Sequence, residues 1–355
     1  MFNVNLLIKP ASSLCNLECE YCFYSDISRR RKNYSFGFMS VETFEQIIKK
    51  AIDFTDNQLT VAFQGGEPTL VGLDFYKSVV ELEKKHNKKG LIIKNSLQTN
   101  GVGLDEEWAD FFRKNDFLIG ISLDGIRETH NQNRCNSFNE VFKTINLFKE
   151  KGVLFNILSV VNERTAKKAQ EIYSFYSENL LDYIQFIPCI SPAGSEKELL
   201  SAEAYGKFMT DIFNRWYEDF SSGKEVHINF IDDCFQMLMG YPPLSCGTSG
   251  VCSYQFVIEA DGGVYPCDFY VLDEYKLGNL KNNSFETINK KRSEIRFIEE
   301  SYSLNIKCKN CKYFKLCRGG CKRYRNPDGL NVLCSGYIKF FDECLPILID
   351  IIKSI

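Results

Sequence analysis

VNLLIKPASSLCNLECEYCFY, residues 4–24, opens on an apolar run and closes on three cysteines spaced Cys15-x3-Cys19-x2-Cys22. The run at 4–8 reads as a buried strand, which puts the cysteines on the loop that follows it. Three thiolates on so short a loop can converge on one iron–sulfur cubane. Three ligands for four irons leave one corner without a protein ligand, and an open corner is where a small molecule can chelate. Phe23 and Tyr24, directly after Cys22, would shield such a group from water. A structural zinc site would call for a fourth Cys or His close by, and neither His86 nor His130 is near in sequence.

Outward from this loop, short β-branched or apolar runs alternate with segments of helical period. Strands are expected at 4–8, 59–63, 91–95, 117–121, 155–160 and 183–187, and helices at 41–54, 73–86, 105–114, 138–151, 165–179 and 202–220. Phe44, Ile47, Ile48 and Ala51 show the helical spacing i, i+3, i+4, i+7. Strand-then-helix repetition argues for parallel strands with crossover helices. The fold class expected is α/β. Six such units fit a partial (β/α)6 TIM-like barrel better than the eight of a full one. After about Asp232 cysteines become dense, Gly and Pro rise and periodicity weakens. The division expected is therefore a barrel over 1–235 and a small cysteine-rich domain over 236–355. In the latter, 255–266 reads as a hairpin turning at Ala260-Asp261-Gly262-Gly263, 284–298 as a short helix and 345–352 as a closing helix.

The chain has 355 residues, 44% hydrophobic and 25% charged, with a net charge of −3. That balance gives no electrostatic reason to expect nucleic acid as a partner. No stretch approaches the roughly 20 apolar residues that cross a bilayer, and MFNVNLLIKP lacks the features of a secretory signal. A cytoplasmic protein with no membrane partner is expected. In a reducing compartment, 15 cysteines point to metal ligation rather than disulfides. Eleven fall into groups; Cys135, Cys189, Cys234 and Cys344 remain and read as small buried hydrophobes. Cys135 fits that reading least, because it follows Arg134 in a polar stretch.

With the cysteine loop after a first strand and Tyr21 before the third cysteine, residues 1–235 resemble the radical S-adenosylmethionine (SAM) superfamily. The resemblance implies that the methionyl group of SAM chelates the open iron held by Cys15, Cys19 and Cys22, and that reductive cleavage yields a 5′-deoxyadenosyl radical. The cofactor supplies the hard chemistry and the protein aims it. Gln64-Gly65-Gly66-Glu67-Pro68 resembles the family's GGE element, whose glycines allow close backbone approach to the ligand. Ser122 and Asp124, in SLDG, stand where barrel enzymes keep active residues. Arg134 resembles the arginine that pairs with the methionyl carboxylate, and Ile190 an apolar position that meets the adenine. Tyr21 joins the SAM contacts. Gln98-Thr99-Asn100-Gly101 could line the same mouth.

Eight later cysteines make two sets of four, for which two zinc sites are an alternative. Cys267-x10-Gly278 followed by Cys308-x2-Cys311-x5-Cys317-x3-Cys321 resembles the SPASM extension, which carries auxiliary [4Fe–4S] clusters. That resemblance implies Cys246, Cys252, Cys267 and Cys321 for an inner cluster, and Cys308, Cys311, Cys317 and Cys334 for an outer one. The cofactors expected are SAM and three [4Fe–4S] clusters.

LLIKPASSLCNLECEYCFY, AFQGGEPTL, NSLQTNG, SLDGIRETHNQNR, QFVIEADGGVYPCDFYVLD and CKNCKYFKLCRGGC together resemble the anaerobic sulfatase-maturating enzymes. The implied reaction oxidises a Cys or Ser of a sulfatase polypeptide, in a Cys/Ser-x-Pro-x-Arg motif, to formylglycine, with an external electron donor such as flavodoxin or ferredoxin. Asp268, after Cys267 in YPCDFY, matches the family's proposed base; in physical terms it is a carboxylate beside a cluster ligand, although a turn aspartate is the plainer alternative. Tyr24 and Gln64 are candidates for contacts to SAM or the peptide. The segment after Arg134 and the stretch 191–201 look shorter than in the family, and both are expected to border the peptide entrance. A maturase forming thioether or carbon–carbon crosslinks in ribosomal peptides is the competing reading, and a zinc scaffold or electron carrier without catalysis the third.

Overall fold

In the computed structural model, which describes residues 3–191 and 199–354, the first apolar run is a strand, β1 (Val4–Lys9), with Val4, Leu6 and Ile8 buried. It pairs in parallel with β2 (Gln58–Phe63), β2 with β3 (Ile92–Thr99), and β3 with β4 (Leu118–Ser122). The next strands, β5 (Phe155–Val161), β6 (Tyr183–Pro188) and β7 (His227–Ile228), are also parallel. β8 (Phe256–Glu259), β9 (Gly263–Tyr265) and β10 (Gly278–Asn279) form an antiparallel ladder. β8 lies parallel to β1 on the side away from β2, with Leu6 opposite Phe256 and Lys9 opposite Glu259.

The chain divides into two compact units. One holds the described residues up to Ser122 with Arg134–Phe155 and Tyr254–Phe297; the other holds Leu123–Asn133, Asn156–Ser253 and the described residues from Ile298 onward. In the first unit the strand order is β10-β9-β8-β1-β2-β3-β4. The second contains β5, apart from Phe155, with β6 and β7. The hairpin expected at 255–266 thus continues the sheet of the first strand, because β1 had an edge to cover and β8 an apolar FVIE run to bury.

Local signals explain most helices. Ser40 caps Val41–Phe54 by accepting from the Thr43 amide, and Asp105 caps Glu106–Lys114 through the amides of Glu107 and Trp108. Phe44, Ile47, Ile48 and Ala51 are buried as their spacing requires, each large side chain contributing about 2 kcal/mol. In the second unit Ala202–Ser221 packs on Cys334–Ser354 through Phe213 on Phe340 and Tyr205 on Tyr337. That last helix corrects the expectation of a helix over 345–352 alone: it begins eleven residues earlier and contains Pro346, which has the marks of a helix start in sequence. The helix expected at 165–179 divides into Glu163–Ala166, capped by Asn162, and Ala169–Glu178. The helix expected at 284–298 ends at Glu294, and Arg296 is left-handed. Among the described residues no helix is long and apolar enough to cross a membrane. Residues 192–198, within the stretch expected to border a peptide entrance, lie outside the described residues.

Candidate active site

Leaving β1, the chain turns at once: the Ser12 amide donates to Lys9 O and the Leu14 amide to Ala11 O. Cys15, Cys19 and Cys22 follow, and Cys22 is the N-cap of the helix Phe23–Arg29. Cys15 is exposed, and its sulfur accepts from the Leu17 amide at 3.4 Å. Asn100 reaches the same loop, its Nδ2 2.7 Å from Asn16 Oδ1 and 3.9 Å from Cys15 Sγ. Arg134, buried, lays its guanidinium 5.4 Å from the Tyr21 ring and 4.0 Å from Cys19 Sγ. The side chain expected to grip a methionyl carboxylate thus stands against the cysteine loop. Cys135 is exposed, not buried as its reading held; it takes a left-handed φ of 53° and its thiol donates to Glu18 O.

The GGE element closes on this loop from β2. Gly66 has φ 56°, and a Cβ there would lie 2.2 Å from Leu14 O; a Cβ on Gly65 would lie 2.4 Å from Lys9 Cε. The close approach these glycines permit in the structure is therefore to the cysteine loop and Lys9. The Glu67 amide donates to Leu14 O at 2.8 Å. The Glu67 carboxylate is fully enclosed, accepting from Thr69 N and Oγ1, Thr99 Oγ1 and the Asn100 amide. Burial raises its pKa and those donors oppose the rise. Glu67 and Asn100 together tie the ends of β2 and β3 to the cysteines.

Asp268 stands at the end of the β8–β9 hairpin. Its Oδ2 accepts from the Tyr24 hydroxyl at 3.2 Å and from Gln64 Nε2 at 3.1 Å, and Gln64 Nε2 also donates to the Tyr24 oxygen at 2.6 Å. Cys267 Sγ is 3.5 Å from Oδ1. Burial raises the Asp268 carboxyl, and the hydrogen bonds from Cys267 and Tyr24 and the charge of Lys9 pull it back. Behind this group Lys9 Nζ lies 5.2 Å from the Tyr24 ring centre and 2.6 Å from Glu259 Oε1, to which Arg31 Nη1 also donates. Burial alone would raise Glu259, but the two cations overcome it and hold the carboxyl at about 2.

Ser122, half-buried, ends β4. In the second unit Asp124 is buried, with Oδ1 accepting from the Val160 amide and Oδ2 facing Asn133 Nδ2 at 3.5 Å, and Ile190 is half-buried after β6. Cys308, Cys311, Cys317 and Cys334 line one cavity of ≈ 100 Å³, walled by Tyr313, Phe314, Tyr337 and Phe341. Burial pushes the Cys317 thiol up to about 11, and the nearby Cys334, Cys308 and Cys311 add to it. Among the described residues no three His, Cys, Asp or Glu side chains are close enough to ligate a single ion; these four instead surround a volume. Cys246, Cys252 and Cys321 belong to the same unit, and the Cys252 amide donates to Ser301 Oγ. Cys267 belongs to the first. Cys189, Cys234 and Cys344 are buried, as their reading held.

The family model described as the radical SAM superfamily matches residues 10–176, and that described as an iron–sulfur cluster-binding domain, SPASM, matches 246–312. The cysteine-type anaerobic sulfatase-maturating enzyme of Clostridium perfringens is 43% identical over 99% of this chain and 99% of its own. The chain belongs to the anaerobic sulfatase-maturating enzymes. The serine-type enzyme of Bacteroides thetaiotaomicron is 34% identical over 98% of this chain and 91% of its own. A solved structure of native anSMEcpe with bound AdoMet and the Cp18Cys peptide, 41% identical, superposes with a TM-score of 0.94 over 99% of both chains. This sulfatase-maturating enzyme is thus a radical SAM oxidoreductase of α/β partial-barrel fold with a carboxy-terminal SPASM region.

The donor sets suit the clusters the family carries. Four thiols around one cavity that repel one another when ionised are costly alone, and iron removes that cost by binding thiolates. An apolar cavity walled by aromatic rings suits an iron–sulfur cluster. What the sequence reading missed is the Lys9–Glu259–Arg31 cluster. Its signal was there: a lone Lys ends one apolar strand and a lone Glu ends another, and opposite charges at the ends of buried strands have to find each other.

Proposed function

We propose that the protein oxidises a cysteine or serine in a Cys/Ser-x-Pro-x-Arg segment of a sulfatase polypeptide to formylglycine, using SAM and three [4Fe–4S] clusters in the cytoplasm. The observation that carries this reading is the carboxylate of Asp268, held by Tyr24 and Gln64 within two residues of Cys22 and directly after Cys267. When bound, SAM on the first cluster supplies a 5′-deoxyadenosyl radical that takes a hydrogen atom from the target Cβ, and the auxiliary clusters supply an electron sink. Cys15, Cys19 and Cys22 would hold the first cluster; Cys246, Cys252, Cys267 and Cys321 the inner auxiliary one; Cys308, Cys311, Cys317 and Cys334 the outer. Tyr21, Gly65, Gly66, Glu67, Ser122, Asp124, Arg134 and Ile190 would frame SAM, Arg134 through its fork of donors.

Asp268 takes the proton from the target thiol or hydroxyl at Oδ2; with a hydrogen atom and one electron also gone, a serine target is the aldehyde and a cysteine target a thioaldehyde, which water hydrolyses with its sulfur leaving as hydrogen sulfide. Burial helps, because it raises the carboxyl toward the range of a working base. Tyr24 and Gln64 hold that oxygen in place and exchange part of their hydrogen bonding for the substrate. A division into a barrel over 1–235 and a SPASM domain over 236–355 is supported by the separation of the two family matches. The greater identity to cysteine-type than to serine-type relatives supports cysteine as the preferred target. An external donor of the flavodoxin or ferredoxin class would start each turnover.

The test is mass spectrometry of two sulfatase-derived peptides, one with Cys and one with Ser in the motif, incubated anaerobically with enzyme, SAM and dithionite. Formylglycine from Cys, with slower loss of two hydrogens from Ser, is expected. Unmodified peptides from enzyme that cleaves SAM would overturn the reading.

A further inference from the structure

Strand β6 ends at Pro188, opposite Val161 of β5, and the chain runs on through Cys189, Ile190 and Ser191. Backbone carbonyls at the end of the ladder need donors from elsewhere. Two of those donors come from far along the chain, 136 and 132 residues on. The Tyr324 hydroxyl donates to Pro188 O at 2.6 Å, and Arg323 Nη2 donates to Ser191 O at 3.1 Å. The Cys189 amide donates to Val161 O at 2.8 Å. Ile190, half-buried, is thus bracketed by held residues on both sides. All of these groups lie in the second unit.

The segment that supplies the two donors is itself anchored. The Arg323 amide donates to Cys321 Sγ at 3.4 Å and the Tyr324 amide to Cys321 O at 3.0 Å. Tyr324 O accepts from the Val332 amide, and Arg325 spans the carbonyls of Gly250, Ser301, Ser303, Gly319 and Gly320. Two side chains on a fixed segment therefore hold a strand end that could otherwise splay. We propose that Arg323 and Tyr324 are positioning residues for SAM: by fixing Pro188 and Ser191 they place the Ile190 side chain for the adenine. The inference rests on the proposed function, which gives Ile190 to SAM. Placement matters because an apolar contact onto a flat base is all dispersion, and a gap of about 0.5–1 Å forfeits a quarter to a half of its attraction. Capping two carbonyls would serve any strand end; the roles differ in which ligands lose affinity when the caps are removed.

The test is anaerobic equilibrium dialysis of the cluster-loaded enzyme with labelled SAM, competed by 5′-deoxyadenosine or by methionine. It is run on wild type, Tyr324→Phe, Arg323→Met and Arg323→Lys, with iron content and melting midpoint measured for each. Tyr324→Phe and Arg323→Met should each bind SAM and 5′-deoxyadenosine about five-fold more weakly, and methionine as wild type does. Arg323→Lys keeps a donor on a flexible stem and should recover most of the loss. Tyr173→Phe removes a hydroxyl bond to Asp219 in the same unit and should bind all three ligands as wild type does. Unchanged SAM affinity in both Tyr324→Phe and Arg323→Met would overturn the proposal. So would equal weakening of methionine and the adenine ligands, or weakened SAM binding in Tyr173→Phe, since either means a general loosening. The two variants act on different carbonyls, so if one folds poorly the other decides. Ile190→Ala keeps the failures apart. Full SAM affinity there strikes the adenine contact of the proposed function, and the clasp with it. Lost affinity there, with Tyr324→Phe and Arg323→Met unchanged, strikes only the clasp.

Discussion

Replacing Gly66 by alanine puts a methyl group against Leu14, the residue before Cys15. The new Cβ would lie 2.2 Å from Leu14 O and 3.0 Å from Leu14 N and C, where ordinary contacts begin at 3.4 Å. The obstacle is backbone, so no side chain can swing aside; the loop must retreat by about 1 Å, given the close packing of protein interiors. That retreat lengthens the Glu67 N to Leu14 O hydrogen bond from 2.8 Å past any useful range, a loss of about 1 kcal/mol. Alanine at φ 56° adds about 1–2 kcal/mol of left-handed strain. Together these loosen the loop by about 2–3 kcal/mol, at the residue next to Cys15. The expected outcome is selective: iron bound at the first site and SAM cleavage both fall, while the Cys308–Cys334 cavity, in the other unit, keeps its iron. Anaerobic iron counts on the variant and on Gly66→Ala combined with Cys15→Ala separate the sites. Gly72→Ala is the control, since Gly72 has φ +92° but open space around its Cβ. A Gly66→Ala enzyme with full iron and normal SAM cleavage would refute the argument. A Gly72→Ala enzyme with the same loss would show that strain rather than contact is responsible.

Asp268→Asn keeps the shape of the Tyr24–Gln64 site but removes the proton acceptor; formylglycine formation should fall by about 10²–10⁴ while deoxyadenosine is still released, both read by liquid chromatography with mass detection. Glu259→Gln leaves Lys9 and Arg31 without their shared carboxylate, at a cost of about 3–5 kcal/mol, seen in chemical denaturation. The folded-state value of about 2 lies below the ordinary value, so the ionised carboxylate stabilises fully above about pH 4.5. That stability is lost as pH falls toward 2, and the variant should lose the corresponding part of its acid-unfolding slope. Arg325 donates to the carbonyls of Gly250, Ser301, Ser303, Gly319 and Gly320. Arg325→Lys keeps the charge and loses the fork, so limited proteolysis should open the segment around 319–325 several-fold faster; unchanged cleavage would show that the fork is dispensable.

The parallel strands were legible because buried strands read as continuous apolar runs, and the first helices because Ser40 and Asp105 mark their starts. β7 and β10 were not, being two residues long each, too short to show a period. The final helix was foreshortened by Pro346, whose cost in a helix interior is met here by the packing of Phe340 and Phe341. The candidate site divides in the same way. Its cysteines stand in tight local spacings that a single chain can display. The Tyr24–Asp268 and Gln64–Asp268 hydrogen bonds join residues 244 and 204 positions apart, and no spacing rule encodes them; resemblance singled out Asp268, and only the pairing of β8 with β1 explains its neighbours.

That pairing ties the charges to the chemistry. Lys9 and Glu259 are register partners across β1 and β8 and also a buried ion pair. A slip of one residue would turn each side chain to the opposite face and leave two charges buried apart, a penalty larger than any apolar gain from the slipped sheet. The ion pair therefore fixes the register. The register in turn fixes where each strand ends: β1 at the turn into Cys15, and β8 at the turn whose return strand leads to Cys267 and Asp268. The helix beginning at Phe23 then brings Tyr24 to Asp268, with Lys9 beneath the tyrosine ring. A buried charge cluster thus sets the distance between the first cysteine loop and the carboxylate proposed as base.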